Sequence, residues 1–205
     1  MRLQTIILII ATVLFIKCGN SQTYDVLIRN GQIIDGSGET GFTGDIGINA
    51  DTITAIGKLE NDIGLHEIDA KGLVIAPGFI NMLSWANVSL IEDGRSQGDI
   101  RQGVTLEVMG EGSSMGPLNE ALKNEMTENQ QDIKYDIEWT TLGEYLEFLE
   151  RKGISTNVAS FVGNGTLRQY VMGYENRPPT EEEMEKMKKL LRQAMEEGAV
   201  GLSTS

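Results

Sequence analysis

Apolar and polar residues alternate along the first part of the chain with the period of two that is typical of β-strands. Residues 25–29 and 32–34 alternate on either side of Asn30-Gly31, a dipeptide that supplies the positive φ angles of a tight turn, and they predict a hairpin. Residues 24–75 as a whole are predicted to form a small β domain. Two further strand pairs are predicted within it, 45–49 with 52–56 around Ala50-Asp51 and 67–69 with 73–75 around Lys71-Gly72.

From Pro77 onwards, strand-like runs alternate with amphipathic helical patterns. This alternation favours a parallel sheet and, after a β domain, a barrel. Strands are predicted at 79–83, 105–109 and 156–162, and 199–204 is a further strand-like run. The stretch 113–139 predicts a long loop that contains a short helix.

Two predicted helices have clear start and stop signals. Thr141 with Glu144 and Thr180 with Glu183 form capping boxes, in which a hydroxyl and a carboxylate satisfy free amides of the first helical turn. The helices are predicted to end at the glycines of positions 153 and 198. The second helix has an apolar stripe whose spacing predicts core packing, formed by Met184, Met187, Leu191, Ala194 and Met195.

Residues 1–23 have the pattern of an export signal, with Arg2 at the positive end and an apolar run over 6–16 that is broken only by Thr12. The run is too short to span a bilayer comfortably. Cleavage near Gln22 predicts a soluble exported protein, periplasmic or secreted. Lipid attachment at Cys18, the one cysteine of the chain, is the alternative.

The net charge of −13 and the pI near 4.5 argue against nucleic acid as a partner, because phosphate binding needs clustered lysines and arginines. Much of the acidity lies in the two predicted helices. We interpret it as a solvated surface that keeps the protein soluble.

Several segments resemble a known superfamily. Residues 24–38, which end in Asp-Gly-Ser-Gly, resemble the opening of amidohydrolase-superfamily enzymes, and 68–80, which contain Ala-Pro-Gly-Phe-Ile, resemble the entry to their catalytic barrel. Segments similar to the N-acyl-D-amino-acid deacylase (D-aminoacylase) branch lie at 102–105, 114–118, 162–168, 171–173 and 197–204.

The resemblance implies an α/β fold in which a small β-sandwich domain precedes a TIM-like (β/α)8 metal-dependent hydrolase barrel. A complete barrel needs about 250 residues, so residues 76–205 are expected to supply only its first half. The implied activity is hydrolysis of the amide C–N bond of an N-acyl amino acid, which releases a D-amino acid and a carboxylate. The implied cofactor is a divalent metal, with zinc as the first expectation.

The chain departs from the metal-binding pattern that the resemblance implies. Leu83 and Trp85 stand where the family has His-x-His after the first barrel strand, and neither side chain can ligate a divalent metal cation. The segment 110–117 after the second strand has no cysteine, and Asn164 replaces the histidine of Gly-His-Gly after the third. The single histidine, His66, is predicted to lie on the surface of the β domain.

Alternatives stay open for each candidate site residue. Glu111 is a candidate replacement metal ligand, or else a residue that only shapes a glycine-rich turn; a phosphate-binding loop fits the spacing to Gly116 poorly. Ser84, Asn164 and Arg168 are candidate substrate-binding residues, with an ordinary salt bridge as the alternative for Arg168. Asn81, Ser84 and Trp85 are candidates to rim the barrel mouth and bind substrate, and the alternative for Leu83 and Trp85 is that they fill the space of the missing metal site.

Two classes of function therefore remain. The first is a deacylase whose catalytic groups lie beyond residue 205, so that this chain alone is inactive. The second is a catalytically silent relative that keeps the fold and binds acylated amino acids, or an inactive fragment that lacks the metal site.

Overall fold

The computed structural model describes residues 21–204. They divide into two compact units, with the boundary between Pro77 and Gly78. The predicted export signal falls outside the described residues except for its last three positions, and Cys18 lies outside them. Within 21–204, no helix combines the length and the apolar character needed to cross a bilayer.

The first unit is a five-stranded sheet of order β3-β2-β1-β4, with β5 also paired to β1. β2 runs antiparallel to both β1 and β3, whereas β4 and β5 run parallel to β1. The strands are β1 (Thr23–Ile33), β2 (Phe42–Asn49), β3 (Thr52–Gly57), β4 (Ile63–Asp69) and β5 (Val74–Ile75).

The predicted hairpin around Asn30-Gly31 is wrong, because β1 continues through it as one strand. Asn30 has the expected positive φ of 61°, but the structure uses it in a bulge, seen as a register shift between Ile28 and Gly31. The backbone N–H of Asn30 donates to Oδ1 of Asp45 at 2.9 Å, and its side chain donates to Oδ1 of Asp69 at 3.0 Å. These carboxylates from neighbouring strands hold the bulge in place.

The other two strand pairs had different outcomes. The pair around Ala50-Asp51 is confirmed as β2 and β3, and Ala50 has the positive φ of 52° that the turn requires. The pair around Lys71-Gly72 is wrong, because β4 and β5 both pair with β1 rather than with each other. β4 pairs in parallel with β1 before the bulge, and β5 pairs in parallel with β1 after it. The turn at Lys71-Gly72 therefore connects two strands that lie end to end along β1 and does not form a hairpin.

The second unit is mixed α/β. Its parallel strands form one sheet of order β6-β7-β8 and a separate pair, β9 with β10, and the described residues form no closed barrel. The elements in chain order are β6 (Phe79–Asn81), α1 (Ser89–Glu92), α2 (Gln97–Ile100), β7 (Val104–Met109), α3 (Glu120–Glu128), α4 (Leu142–Lys152), β8 (Asn157–Ser160), β9 (Val162–Gly163), α5 (Asn164–Met172), α6 (Glu181–Glu196) and β10 (Leu202–Ser203).

Both capping boxes are confirmed, at Thr141 for α4 and at Thr180 for α6. The apolar stripe of α6 is only partly core. Met187 and Ala194 are buried, whereas Met184 and Met195 are exposed. The core reaches only the middle of the stripe, so its outer edges face solvent.

The core of the second unit joins the helices to the long segments between them. Trp139 is buried and its indole N–H donates to the carbonyl of Met115 at 2.7 Å. Tyr145 on α4 is also buried, and its hydroxyl donates to the carbonyl of Asn87 at 2.9 Å. Burial raises the pKa of Tyr145. The Trp139 bond joins the two ends of the long segment between β7 and α4, and the Tyr145 bond ties the segment after β6 to α4.

Candidate functional site

The carboxyl ends of β6, β7, β9 and β10 are linked directly by hydrogen bonds. The N–H of Ser84, after β6, donates to the carbonyl of Val108 in β7 at 2.9 Å. The N–H of Gly165, at the start of α5, donates to the carbonyl of Gly112 in the loop after β7, also at 2.9 Å. Ligands of parallel α/β proteins bind at this end of the strands, so it is the candidate functional site.

The loop after β7 is held by its backbone and by one hydroxyl. Gly110 and Gly112 both have positive φ angles, of 89° and 67°. The hydroxyl of Ser203 in β10 donates to the carbonyl of Gly110 at 2.6 Å and accepts from the N–H of Gly112 at 3.0 Å. Ser203 was not singled out from the sequence, although it lies in the segment 197–204 that resembles the deacylase branch.

Glu111 lies at the exposed tip of this loop. Its backbone carbonyl accepts from the N–H of Ser113 at 2.7 Å, so the main chain of Glu111 shapes the turn while its carboxylate is open to solvent. Its roles as a metal ligand and as a turn residue both stay predictions.

The end of β6 presents apolar side chains. Leu83 is 53 % exposed and Trp85 is 71 % exposed, and the neighbouring Met82 is exposed as well. Ser84 between them is buried, and its Oγ accepts from the N–H of Ala86 at 3.2 Å. The hydroxyl of Ser84 therefore braces the segment, and its contact with a substrate stays a prediction.

Asn164 and Arg168 lie one turn apart on α5. Asn164 is the exposed first residue of the helix, next to the glycine loop. The guanidinium of Arg168 donates to two backbone carbonyls, those of Glu175 and Arg177, and so it holds the turn after α5. The alternative predicted from the sequence was a salt bridge. Arg168 does have a structural role, but its acceptors are backbone carbonyls and not carboxylates.

A cavity of 280 Å³ lies beside the glycine loop, between that loop and α3 and α5. Ser114 and Thr166 on its wall are buried and bonded to each other, with the N–H of Ser114 donating to Oγ1 of Thr166 at 2.8 Å. At its rim the hydroxyl of Tyr174 donates to the carboxylate of Glu125, and this bond raises the pKa of Tyr174.

A buried carboxylate in β7 was not considered from the sequence. Glu107 is 0 % exposed, and its Oε2 accepts from the side-chain amide of Asn81 in β6 at 3.0 Å. Oδ1 of Asn81 in turn accepts from the backbone N–H of Leu83 at 3.3 Å. A charged residue within a strand pattern was the available signal, since strands buried on both faces are otherwise apolar.

The donors at the strand ends do not fit a metal site. Among residues 21–204, no group of three histidine, cysteine, aspartate or glutamate side chains could hold an ion. Leu83 and Trp85 have no suitable donor atom, and Glu107 is enclosed in the fold. Glu111 is the carboxylate that projects from the glycine loop.

Comparison with known proteins identifies the relatives of the chain. It is 34 % identical over 189 residues to the D-aminoacylase of Alcaligenes xylosoxydans xylosoxydans, a match that covers 90 % of this chain and 38 % of that protein. It is 32 % identical to the N-acyl-D-aspartate deacylase of the same organism, covering 88 % of this chain and 36 % of that protein. The chain belongs to the D-aminoacylase family of the amidohydrolase superfamily.

Solved structures of this family agree with the fold. The crystal structure of D-aminoacylase matches with a TM-score of 0.77 and 31 % identity, over 88 % of this chain and 38 % of that one. The N-acyl-D-glutamate deacylase of Bordetella bronchiseptica, solved with zinc and a phosphonate mimic of the tetrahedral intermediate, also matches with a TM-score of 0.77, at 30 % identity over 89 % of this chain and 38 % of that one. No family model matches the chain.

The chain thus spans a little over a third of the length of these relatives, and it corresponds to their N-terminal portion. The relatives include zinc-bound structures. Residues 21–204 of this chain contain no group of three potential metal ligands that could hold such an ion.

Proposed function

We propose that this chain forms one wall of the substrate cleft of a hydrolase that cleaves the amide C–N bond of N-acyl-D-amino acids. In this proposal the second unit is the first half of a (β/α)8 barrel and the first unit is part of a β-sandwich. The observation that carries the proposal is the family match, which extends over nearly the whole chain at 31–34 % identity to a D-aminoacylase, an N-acyl-D-aspartate deacylase and an N-acyl-D-glutamate deacylase.

The strand ends support a binding role for the residues of this chain. Leu83 and Trp85 offer exposed apolar surface to an acyl chain or an apolar side chain. The amide of Asn164 is exposed, and we infer that it donates to a substrate carbonyl; Ser84 keeps the apolar segment in position. Arg168 would pair with a substrate carboxylate only by releasing the carbonyls of Glu175 and Arg177.

A zinc ion enters the proposal only through the relatives. The described residues do not assemble a set of ligands, so any ligands of such an ion other than Glu111 would have to lie outside residues 21–204. We therefore assign no step of the reaction to a metal held by these residues.

The proposal is tested with the intact protein, N-acetyl-D-leucine and its L enantiomer. Release of free D-leucine, with little release from the L enantiomer and with metal in the purified protein, is the expected result. If neither enantiomer is bound or hydrolysed, with or without added zinc, the proposal is wrong.

The second candidate is a catalytically silent binding protein. The replacement of His-x-His by Leu83 and Trp85, and of the Gly-His histidine by Asn164, favours it. It predicts binding of the D enantiomer, measured by calorimetry, without hydrolysis and without a change on addition of zinc. The same experiment therefore separates the two candidates.

The role of Glu111 has its own test. Glu111→Gln keeps the size of the side chain and the turn but removes the charge. If Glu111 is a ligand, the zinc content of the intact protein, measured by mass spectrometry, falls by at least about tenfold. Glu120→Gln, an exposed carboxylate on α3, is the matched control. Unchanged zinc content in Glu111→Gln assigns that residue to the turn alone.

We also propose that the protein is exported, to the periplasm or the medium, by the signal at 1–23. Mass spectrometry of the mature N-terminus distinguishes the two forms of the proposal. Cleavage near Gln22 supports a soluble form, whereas a lipid on Cys18 that is lost in Cys18→Ala supports an anchored one. An unprocessed N-terminus in the cytoplasm would contradict both.

A further inference from the structure

The carboxylate of Glu107 lies on the face of the sheet that packs against helices. Glu107 is directly opposite Asn81 in β6 and opposite Val158 in β8, so all three side chains share one face of the sheet. Val158 packs against the hydrophobic core of the second unit. Glu107 itself is 0 % exposed, so its carboxylate is enclosed between the β-sheet and the helices and is not exposed at the candidate functional site.

Such a position is costly for a carboxylate. Oε2 of Glu107 accepts one hydrogen bond, from Asn81, while Oε1 has no partner among residues 21–204. An apolar side chain of similar size would lose no hydration on burial, and replacement of a buried charge by a packed apolar group is often neutral or stabilising. Core packing alone therefore does not explain a glutamate at this position.

The bond that Glu107 does make leads to the candidate site. It holds the side chain of Asn81, which is only partly buried, so that Oδ1 of Asn81 faces the N–H of Leu83. Asn81 is the last residue of β6, and Leu83 begins the apolar segment at its end. The path from the buried carboxylate to the exposed segment is thus two hydrogen bonds long.

We propose that Glu107 is a positioning residue that acts through Asn81 to fix the backbone of the Leu83–Trp85 segment at the carboxyl end of β6. The relay consists of Glu107, the Asn81 amide and the Leu83 N–H. It does not depend on the function proposed above; only the statement that this segment contacts substrate rests on that function.

Hydrogen exchange of two neighbouring amides tests the relay in the full chain by NMR. The N–H of Leu83 depends on the relay, whereas the N–H of Ser84 donates to the carbonyl of Val108 and belongs to the β6–β7 pairing. In Glu107→Met, which keeps length but removes the acceptor, the protection of the Leu83 amide is expected to be lost while that of Ser84 is retained. Glu107→Gln keeps an acceptor for Asn81 and is expected to retain both.

Two results would overturn the relay. One is unchanged protection of Leu83 in Glu107→Met. The other is an equal loss at Leu83 and Ser84, which would mean that Glu107 merely supports the strand pair. Thr156→Val is the matched control, because Thr156 is also buried and its Oγ1 has no partner within the described part of the chain, but it has no bond to Asn81.

A donor–acceptor exchange keeps the test decisive if Glu107→Met does not fold. Asn81→Asp retains an acceptor for Leu83 but faces the carboxylate of Glu107 with a second carboxylate, so protection at Leu83 should fall. Addition of Glu107→Gln supplies a donor to Asp at position 81 and should restore it. Failure of the double variant to recover, with Ser84 protected throughout, contradicts the relay.

In the intact protein the relay predicts a change in the Michaelis constant or the dissociation constant of an N-acyl-D-amino acid in Glu107→Met. If the exchange experiment succeeds and no ligand binds even to the unaltered protein, the relay stands and the proposed function fails. If the ligand binds the unaltered protein and the exchange of Leu83 is insensitive to Glu107, the function stands and the relay fails.

Discussion

The ends of β6 and β7 are neighbours in one parallel sheet, but they are built by different interactions. After β7 the chain turns on two glycines with positive φ, and Ser203 bonds to the backbone of both. After β6 no glycine is used; the turn is held by the side chains of Asn81 and Ser84, while Leu83 and Trp85 stay exposed. A strand end can thus be held either by backbone conformation or by the hydrogen bonds of polar side chains.

The difference also separates the chemistry that each end offers. A glycine loop lets the main chain approach its neighbours closely and leaves Glu111 as its one exposed carboxylate. The end of β6 instead presents the exposed apolar side chains of Leu83 and Trp85, and the hydrogen bonds of Asn81 and Ser84 hold this segment in position. The end of β7 is therefore suited to polar contacts, and the end of β6 is suited to apolar ones.

The largest expected effect comes from Gly110→Ala. A Cβ at this position would lie 2.2 Å from the carbonyl oxygen of Phe161, and the φ of 89° is itself unfavourable for alanine. We expect the free energy of unfolding, measured with urea, to fall by about 3 kcal/mol.

Gly198→Ala is the control for this prediction. Its φ of 105° is also positive, but a Cβ there meets no atom within 4 Å. It should cost only the conformational part, about 1–2 kcal/mol. Equal losses in the two variants would show that the loop after β7 is not closely packed against Phe161.

A smaller effect is expected from the serines at the two strand ends. Ser203→Ala removes two hydrogen bonds of the glycine loop and should lower the free energy of unfolding by about 2 kcal/mol. Ser84→Ala removes one and should cost about 1 kcal/mol. Ser113→Ala, at an exposed hydroxyl, should stay within about 0.5 kcal/mol. A larger loss of unfolding free energy for Ser84→Ala than for Ser203→Ala would show that the side-chain hydrogen bond after β6 contributes more to stability than those of the glycine loop.

The smallest effect on stability is expected from the exposed apolar pair. Leu83→Ser and Trp85→Ser should change the free energy of unfolding by no more than about 0.5 kcal/mol, because these side chains bury little surface. The affinity of the intact protein for an N-acyl-D-amino acid, measured by calorimetry, should nevertheless fall by about tenfold.

Val200→Ser is the matched control for that pair, since Val200 is an exposed apolar residue that precedes β10 instead of following a strand. It should leave the affinity unchanged. An equal fall in all three variants would mean that exposed apolar surface in general, and not the end of β6, determines binding.

Helix starts were predicted well from sequence because the interactions that set them are local. Thr141 and Glu144, and likewise Thr180 and Glu183, bond to amides within the same helical turn. The existence of parallel strands was also predictable from the alternation of strands and helices. Their lengths were not predictable. β6 ends at Asn81, two residues earlier than predicted, because the chain turns there and the side chain of Asn81 accepts a hydrogen bond from the N–H of Leu83.

The candidate site was predictable in place but not in its interactions. The glycine pattern at 110–112 located the loop after β7, whereas its partner Ser203 is more than ninety residues away in sequence. No local pattern reports a bond of that range. Arg168 illustrates the same limit, since its charge suggested a carboxylate partner and the fold supplied carbonyls.

The sequence by itself determined the family, the change from a β domain to alternating strands and helices after Pro77, and the absence of His-x-His at positions 83 and 85, because each depends on residue identity and short spacing. The tertiary structure alone decided that Asn30-Gly31 forms a bulge, since Asp45 and Asp69 reach it from other strands. It alone decided that Glu107 is enclosed and bonded to Asn81. Burial and hydrogen-bond partners arise only when distant segments pack together, and no local sequence pattern contains that information.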